Sequence, residues 1–400
     1  MNRATLFVSF CILLLTPLFG IAQTPRIDSV VMLDPQPHEA DDAVIWYDDF
    51  DSTLKYGESS GELTTQQFFG ESGQSKLSHY ERGSRGKGGG KVFFGDSPTG
   101  TPIINRGQTY QDVYWRLYVK HQDGWQGGGP DKLSRATSLV TPNWAQAMIA
   151  HVWSSGETLT LDPARGVNGS QIVTERYNDF DHLKWLGNKP TAHFKIHSTE
   201  EAGWWVCVES RARLNTPGQS DGLNQLWLDG NLEAERKNLN WRGSYTEHGI
   251  NAVFLESYWN NGSPVTQSRW FENFVISTEP IGPVVCPRNP ELIKTLFRGE
   301  GEQSAWQLEL STDPQGGTVV WSSNVIIGGN RVRVSVDSGK FTSSLQGETQ
   351  LAPSMVYYCR VREQSQSGEW SQWSVWHQPF KTTNETTSIG YWKLDADVSP

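Results

Sequence analysis

Phenols and cations are concentrated in the segment 114–121. Its side chains alternate between apolar and polar. Because alternate residues of a β-strand lie on opposite faces, one face is predicted to pack in a core. The other presents Tyr114, Arg116, Tyr118 and Lys120. Guanidinium and ammonium groups pair with carboxylates, and phenols stack on sugars or exchange protons. The segment predicts a binding groove for an acidic glycan or a solvated outer face, and the pattern alone does not separate them.

Three other segments carry candidate site residues. The glycine-rich loop 124–133 contains Trp125 and Lys132, and its permissive backbone lets a ligand approach closely. It lacks the Gly-Lys-Ser/Thr ending of a phosphate-binding loop. In segment 146–153, alternation places His151 beside Trp153, and a histidine pKa lies near neutral pH. Arg211 lies in a charged row that either lines the groove or faces solvent.

Composition favours a β-rich chain that does not bind nucleic acid. The 400 residues carry 34 basic and 44 acidic side chains, giving a net charge of -10. Glycine (39), proline (20) and an aromatic share of 12%, including 18 Trp, are typical of β-sheets and turns. No long segment has a helical apolar period. We therefore predict an all-β fold in which some of the many indoles stack on sugar.

The chain divides into four predicted regions. Residues 1–22 read as a cleavable signal peptide, so the protein is predicted to be secreted, extracellular or on the cell surface. No later segment is long enough to span a membrane. Residues 23–282 are predicted to form a large antiparallel sandwich and 283–382 a smaller one. Residues 383–400 read as a linker and the start of a further β domain, as if from a longer chain.

Six segments of the first domain occur in a characteristic order: 114–120, 127–133, 214–218, 221–222, 226–230 and 269–274. Together they resemble the jelly-roll polysaccharide lyases of the alginate and glucuronan lyase type. This concanavalin A-like resemblance implies a concave sheet that binds an anionic, uronate-containing polysaccharide and cleaves it by β-elimination.

The elimination needs a group that neutralises the carboxylate, a base and an acid. Arg116, Lys120 and Lys132 are candidates for the first role, and Tyr118 and His151 for the others. Gln146 and Met148 stand where the alginate lyase type has a Ser-x-Arg pair. Either Gln146 acts with His151, as in the glucuronan lyase type, or the groove only binds. Three hypotheses follow: a lyase, a lectin-like binding protein, and a structural surface protein.

The second domain resembles a fibronectin type III module. The resemblance rests on Trp306, the strand 357–362 and a Trp-Ser-x-Trp-Ser-like element at 370–374. In such modules this element is structural, and Arg360 and Arg362 are available to stack on its indoles. We expect a spacer or docking module without catalysis.

No cofactor is predicted to be required, and no histidine metal motif is present. The acidic turn 48–51 could hold a structural calcium ion with Glu272, or simply be solvated. Cys286 and Cys359 could form a disulfide in an oxidising compartment.

Overall fold

The computed structural model describes residues 24–52, 56–71, 73–86, 88–127, 129, 131–187, 189–299 and 301–384. In these ranges the chain is almost entirely β, with short 3-10 helices at Pro37–Glu39 and Ser343–Leu345. None of the described helices is long and apolar enough to cross a membrane. The predicted signal peptide and nearly all of the predicted C-terminal region, from residue 385 onward, lie outside the described residues.

The described residues form twenty-eight strands. Up to residue 277 these are β1 (Ile27–Val30), β2 (Val44–Asp48), β3 (Glu58–Ser59), β4 (Glu62–Thr64), β5 (Ser75–Tyr80), β6 (Gly90–Phe94), β7 (Ile103–Ile104), β8 (Asp112–His121), β9 (Asp131–Leu139), β10 (Gln146–Ser155), β11 (Thr158–Arg165), β12 (Val167–Asn168), β13 (Gln171–Ile172), β14 (Lys184–Trp185), β15 (Trp205–Arg213), β16 (Gly222–Leu228), β17 (Asn231–Leu239), β18 (Ala252–Trp259) and β19 (Gln267–Ser277). The rest are β20 (Val285–Cys286), β21 (Glu291–Lys294), β22 (Gln303–Ser311), β23 (Val319–Ser323), β24 (Ile326–Ile327), β25 (Arg331–Arg333), β26 (Gly339–Phe341), β27 (Val356–Ser365) and β28 (His377–Thr382).

The first sandwich packs two sheets face to face. One, which we call the groove sheet, has the order β14-β11-β10-β9-β18-β6-β3, with β7 on β6. The other, the back sheet, has the order β17-β16-β15-β8-β19-β5-β4, with β2 on β19. Trp115 and Leu117 of β8 pack with Met148 and Val152 of β10 between the sheets. The predicted all-β, jelly-roll-type sandwich is confirmed.

A second, smaller sandwich is also present. Its sheets have the orders β1-β21-β25 and β20-β28-β27-β22-β23-β26, with β24 on β22. As predicted, arginines stack on the indoles of the Trp-Ser-x-Trp-Ser-like element. Arg362 lies 4.6 Å from the ring centroids of both Trp370 and Trp373, and Arg360 lies 4.7 Å from Trp373. The fibronectin type III resemblance itself stays a prediction.

The first strand belongs to the second sandwich, which corrects the predicted boundary. β1 pairs with β21, with Ile27 opposite Lys294. Gln36 donates from Nε2 to the Val285 carbonyl at 2.9 Å and accepts from the Val285 N–H at 2.9 Å. Residues from 24 to about 36 therefore complete the second unit. β21, the pairing partner of β1, lies more than 260 residues further along the chain, so no local pattern could have revealed the pairing.

Buried carboxylates hold the two sandwiches together. Glu209 of β15 accepts hydrogen bonds from the N–H groups of Ile281 (3.0 Å) and Gly282 (2.8 Å). Asp229 accepts from the Cys207 N–H (2.9 Å) and the Gln378 N–H (3.2 Å). Because each carboxylate has lost its water, these backbone donors are needed to offset the cost of burial.

Cys286 and Cys359 do not form the disulfide that the sequence left open. Both are buried free thiols, as is Cys207. Burial raises the pKa of all three. We therefore interpret the cysteines of the described residues as small core side chains.

Replacing Gln378 should loosen the junction between the sandwiches. Its Nε2 donates to the Asp28 carbonyl at 2.7 Å and the Trp205 carbonyl at 2.9 Å, so Gln378→Ala leaves buried acceptors unpaired. We expect the free energy of unfolding to fall by about 1–3 kcal/mol in denaturant titrations. Gln366→Ala, on an exposed position, is the matched control. Equal stability of the two variants would contradict the role of Gln378.

Candidate functional site

The polar face predicted from segment 114–121 is covered by protein. It lies on the outer side of the back sheet, under the linker and the second sandwich. Tyr118 is fully buried, and its hydroxyl accepts a hydrogen bond from the Val284 N–H at 3.1 Å. The buried Arg116 donates to the carbonyls of Gly282 (3.0 Å) and Asn273 (3.3 Å). Burial also raises the pKa of Tyr118 well above its usual value. Arg116 and Tyr118 are therefore enclosed by protein, and the structure contradicts a ligand-binding role for these two residues.

The remaining candidates near this face have partners within the protein. Lys120 pairs with Asp28 at 2.8 Å. Arg211 pairs with Asp112 at 2.6 Å, and its guanidinium lies 4.8 Å from the ring centroid of Tyr114. Tyr114 also stacks on Trp227, at 6.4 Å between centroids. The structure does not bring these three candidates to His151, because they lie on the other sheet.

Trp125 is not a groove residue either. It is fully buried in a cluster with Tyr80 and Trp259, so its indole anchors the glycine-rich loop.

A groove of about 1160 Å³ lies on the outer face of the groove sheet. Side chains of strands from β14 to β3 line it. β14 and β3 lie at opposite edges of the groove sheet, separated by six inter-strand spacings of about 4.8 Å. The groove therefore crosses about 29 Å of sheet. That length suits an oligomer better than a single small molecule.

Aromatic rings line the part of the groove over β14 and β10. Phe180, Trp185 and Trp153 form a row of nearly parallel rings. Centroids are 6.2 Å apart for Phe180 and Trp185 and 6.1 Å for Trp185 and Trp153. Phe180 is half exposed. Such a row offers flat apolar surface to the C–H face of a sugar.

Cations line the part over β9, β18 and β6. Arg135 forms an ion pair with Glu256 and donates to Asn178 Oδ1 at 2.8 Å, and Lys91 forms an ion pair with Glu58. Among the described residues, no carboxylate lies within 4.0 Å of the Lys132 ammonium group, which is 5.1 Å from the ring centroid of Tyr258. Burial lowers the pKa of Lys132, and Glu256 opposes this effect. Lys132 is thus a predicted binding residue that the structure places in the groove wall.

His151 of β10 is fully buried beneath the groove, between the aromatic and the cationic parts. The register puts Arg135 beside His151 on β10 and beside Phe254 on β18. His151 Nε2 is 4.0 Å from Glu256 Oε2. Four buried atoms of this group have no hydrogen-bond partner in the described part of the chain. They are both ring nitrogens of His151, Glu256 Oε2 and Arg135 Nε. A buried polar atom without a partner costs free energy, so water or a ligand is needed to complete this cluster.

Burial and nearby cations set the charge of this histidine. Burial, followed by Arg135, Lys132 and Lys189, lowers the pKa of His151 well below 6.5. The imidazole is therefore neutral at neutral pH, and the same causes disfavour its protonated form, which makes it a weak base unless an anion binds beside it.

Gln146 supports the site from behind. Its Nε2 donates to Thr137 Oγ1 at 3.0 Å, and its Oε1 accepts from the Asn178 N–H at 2.9 Å. Gln146 thereby holds the loop that brings Asn178 and Tyr177 to the groove. The structure places this predicted catalytic residue as a fully buried support of the loop.

Sequence reasoning missed much of this site. No role was given to Arg135 or to Glu256 in the sequence analysis. Tyr177, Trp185 and Phe180 lie in or beside a loop that shows no periodic pattern. Arg135 and Glu256 are polar residues within the buried strands β9 and β18, and this position was the available signal that they form part of a site. Nothing in the local sequence shows that the two strands pair.

A buried polar cluster behind the groove fixes the strands that carry Lys132 and Glu256. Arg269 of β19 pairs with Asp131 at 2.6 Å and donates to the carbonyls of Lys132 (2.7 Å) and Glu256 (3.1 Å). His197 Nε2 lies 3.8 Å from Asp131 Oδ2. Burial raises the pKa of Asp131 to about 6, opposed by Arg269.

The described residues contain no group of three or more His, Cys, Asp or Glu side chains arranged to hold a metal ion. Around the predicted calcium site, Asp48 accepts from the Phe50 N–H at 2.8 Å, and the buried Glu272 accepts from the Phe69 N–H at 3.3 Å. The calcium ion stays a prediction.

No protein-family model and no curated protein matches the sequence. Similar solved structures include an endo-β-1,4-glucuronan lyase from Trichoderma reesei, 14% identical, with TM-score 0.40, covering 59% of this chain and 96% of that one. An alginate lyase from Aplysia kurodai is 13% identical, with TM-score 0.42 and coverage of 59% and 99%. Alginate lyase vAL-1 from Chlorella virus is 13% identical, with TM-score 0.40 and coverage of 64% and 100%. These similarities are too distant to transfer the role of any residue.

His197 should make the protein less stable in acid. Burial, with Arg269, lowers its pKa to about 3 from 6.5. The unfolded chain takes up a proton at this position as the pH falls below 6.5, whereas the folded protein does so only near pH 3. The contribution of the neutral His197 to the free energy of unfolding is therefore fully present above pH 6.5. It is lost between pH 6.5 and 3, at about 1.4 kcal/mol per pH unit.

Denaturant titrations between pH 7.5 and 5 check this expectation. In His197→Gln the free energy of unfolding should depend less steeply on pH than in the wild type. His193→Gln, at a side chain that is 94% exposed, should keep the wild-type slope. If the free energy of unfolding depended equally steeply on pH in the wild type and in His197→Gln, the lowered pKa of His197 would be refuted.

Proposed function

We propose that the protein binds an acidic polysaccharide in the groove and cleaves it by β-elimination. The observation that carries the proposal is the Lys132 cation, which pairs with no carboxylate of the described residues and lies in the same groove as the aromatic row. Four cations and two carboxylates of the described chain line this groove, although the whole chain has a net charge of -10. A locally basic groove on an acidic protein favours an anionic ligand, and the indoles favour a sugar.

The elimination breaks a C–H bond and a C–O bond of the polymer. A base removes the proton from the carbon next to the carboxylate, while a neutralised carboxylate stabilises the carbanion. The bond between the neighbouring carbon and the leaving oxygen then breaks, and an acid protonates that oxygen. The products are a new chain end and an unsaturated uronate with a conjugated C=C bond.

Groove residues have the charge states that this reaction needs. Lys132, with the Asn178 amide, would neutralise the carboxylate. Burial and nearby cations lower the pKa of His151, so it is neutral, and it would serve as the base once the bound uronate carboxylate raises that pKa. Burial raises the pKa of Tyr177, opposed by Arg135, so its phenol stays protonated and would serve as the acid by giving its proton to the oxyanion that forms as the C–O bond breaks. Tyr177 thereby takes the part that the sequence suggested for Tyr118.

Binding without turnover is the second candidate. It is favoured by His151, which is fully buried, and by Glu256, whose Oε1 is already paired with Arg135. Under either proposal the predicted export fits, because large polysaccharides are met outside the cell.

The full chain incubated with uronans should produce the ultraviolet absorbance of an unsaturated uronate. We expect His151→Ala to lower the rate by about 10²- to 10⁴-fold with binding retained, because it removes the base. Lys132→Ala should weaken binding about tenfold, since it removes a charge-assisted contact. Lys120→Ala is the matched control, because Lys120 lies on the back sheet, where it is paired with Asp28 of β1.

The outcomes separate the candidates. Binding without any absorbance change on any uronan would support the binding protein and exclude the lyase. An absence of binding, or equal effects of Lys132→Ala and Lys120→Ala, would refute the groove assignment.

A further inference from the structure

The direction in which Lys132 points depends on a break in the alternation of β9. Arg135 lines the groove, and the next residue, Ala136, belongs to the core between the two sheets. Strict alternation from these two positions would turn Leu133 toward the groove and Lys132 toward the core. The structure shows the reverse, because Leu133 is packed in the core and Lys132 lines the groove.

A β-bulge in β9 causes this reversal. Two adjacent residues of β10 pair with Ser134 and Lys132, so Leu133 between them has no counterpart on that strand. The register between β9 and its other neighbour, β18, shifts at the same place. An extra residue in a strand reverses the faces on which all the following side chains lie. The bulge is therefore the reason why the groove contains the Lys132 cation.

Arg269 of the back sheet reaches across the sandwich to this bulge. Its Nη2 donates to the carbonyls of Lys132 (2.7 Å) and Glu256 (3.1 Å), and its Nη1 pairs with Asp131 Oδ2 at 2.6 Å. Its Nε and Nη2 each lie 3.2 Å from Ser257 Oγ. A bulge interrupts the ladder of backbone hydrogen bonds, so buried carbonyls within it need other donors. One side chain thus supplies donors to both strands at the break.

We propose that Arg269 is a positioning residue for ligand binding, which holds the bulge in β9 and so keeps the Lys132 ammonium group in the groove. The inference rests on the proposed function, because the ligand of Lys132 is there a uronate carboxylate. Arg269 acts through Lys132, since its own side chain is fully buried. A guanidinium suits this role because its planar fork donates in several fixed directions and stays charged beside Asp131.

The test measures how much Lys132 contributes to binding with and without Arg269. Calorimetry gives dissociation constants of glucuronate and mannuronate tetrasaccharides for the full chain, Lys132→Ala, Arg269→Met and the double variant. We expect Lys132→Ala to weaken binding about tenfold in the wild type and less than about twofold in the Arg269→Met background. If Arg269 only stabilised the fold, the tenfold effect would persist, because the cycle subtracts any loss that is common to both backgrounds.

Two further variants allow for a loss of folding, which denaturant titration detects. Arg269→Met leaves the Asp131 carboxylate buried without its partner, which is costly. Combining Arg269→Met with Asp131→Asn removes both charges, and the effect of Lys132→Ala should again fall below about twofold. Arg269→Lys keeps a charge beside Asp131, but a single ammonium group does not replace the fork. In that background the effect of Lys132→Ala should be smaller than in the wild type.

Arg213→Met is the matched control. Arg213 is an exposed arginine of the back sheet that donates to the Asp221 carbonyl at 3.2 Å, so the full effect of Lys132→Ala should remain in this background. An undiminished effect of Lys132→Ala in the folded Arg269 variants would overturn the inference and leave the proposed function intact. A wild type that binds neither tetrasaccharide, or whose binding Lys132→Ala does not weaken, would overturn both.

Discussion

The docking of the second sandwich on the back sheet decides where this protein can meet a ligand. Glu209 and Asp229 are buried at that junction, and burial raises the pKa of Asp229 to about 7. Their backbone donors come from the linker and from Gln378, so the carboxylates are satisfied only when both units are in place. Because the outer face of the back sheet is closed around Arg116 and Tyr118, we place the candidate site on the groove sheet.

The groove sheet, in turn, is organised around Arg135. Its guanidinium contacts Glu256 and Asn178 and lies 4.9 Å from the ring centroid of Tyr177. One buried cation thus connects two strands with the loop that closes the groove. The same cation, with burial, keeps His151 neutral. The atoms around Arg135 that have no hydrogen-bond partner in the described chain lie beneath the groove, and this cluster is the reactive point of the proposed function.

Residues that act through local spacing were predictable. The stacking of Arg360 and Arg362 on nearby indoles lies within one stretch of about twenty residues, and their alternation along a strand already places them on one face. Lys132 was also predicted, because a cation at the end of a glycine-rich loop is visible in the sequence. His151 was singled out next to Trp153, with which it stacks at 4.9 Å. Its partners Arg135 and Glu256 lie on other strands, and a single sequence does not show which strands become neighbours.

By itself, the sequence determined an all-β chain with two sandwiches, because alternating polarity and frequent turn residues depend only on neighbours along the chain. Tertiary structure alone decided that the face with Tyr118 is covered and the face with His151 lines a groove. Alternation defines two faces of a strand but not which of them another domain will bury. It also decided that β1 completes the second sandwich, since strand pairing across more than 260 residues depends on the packing of the whole chain.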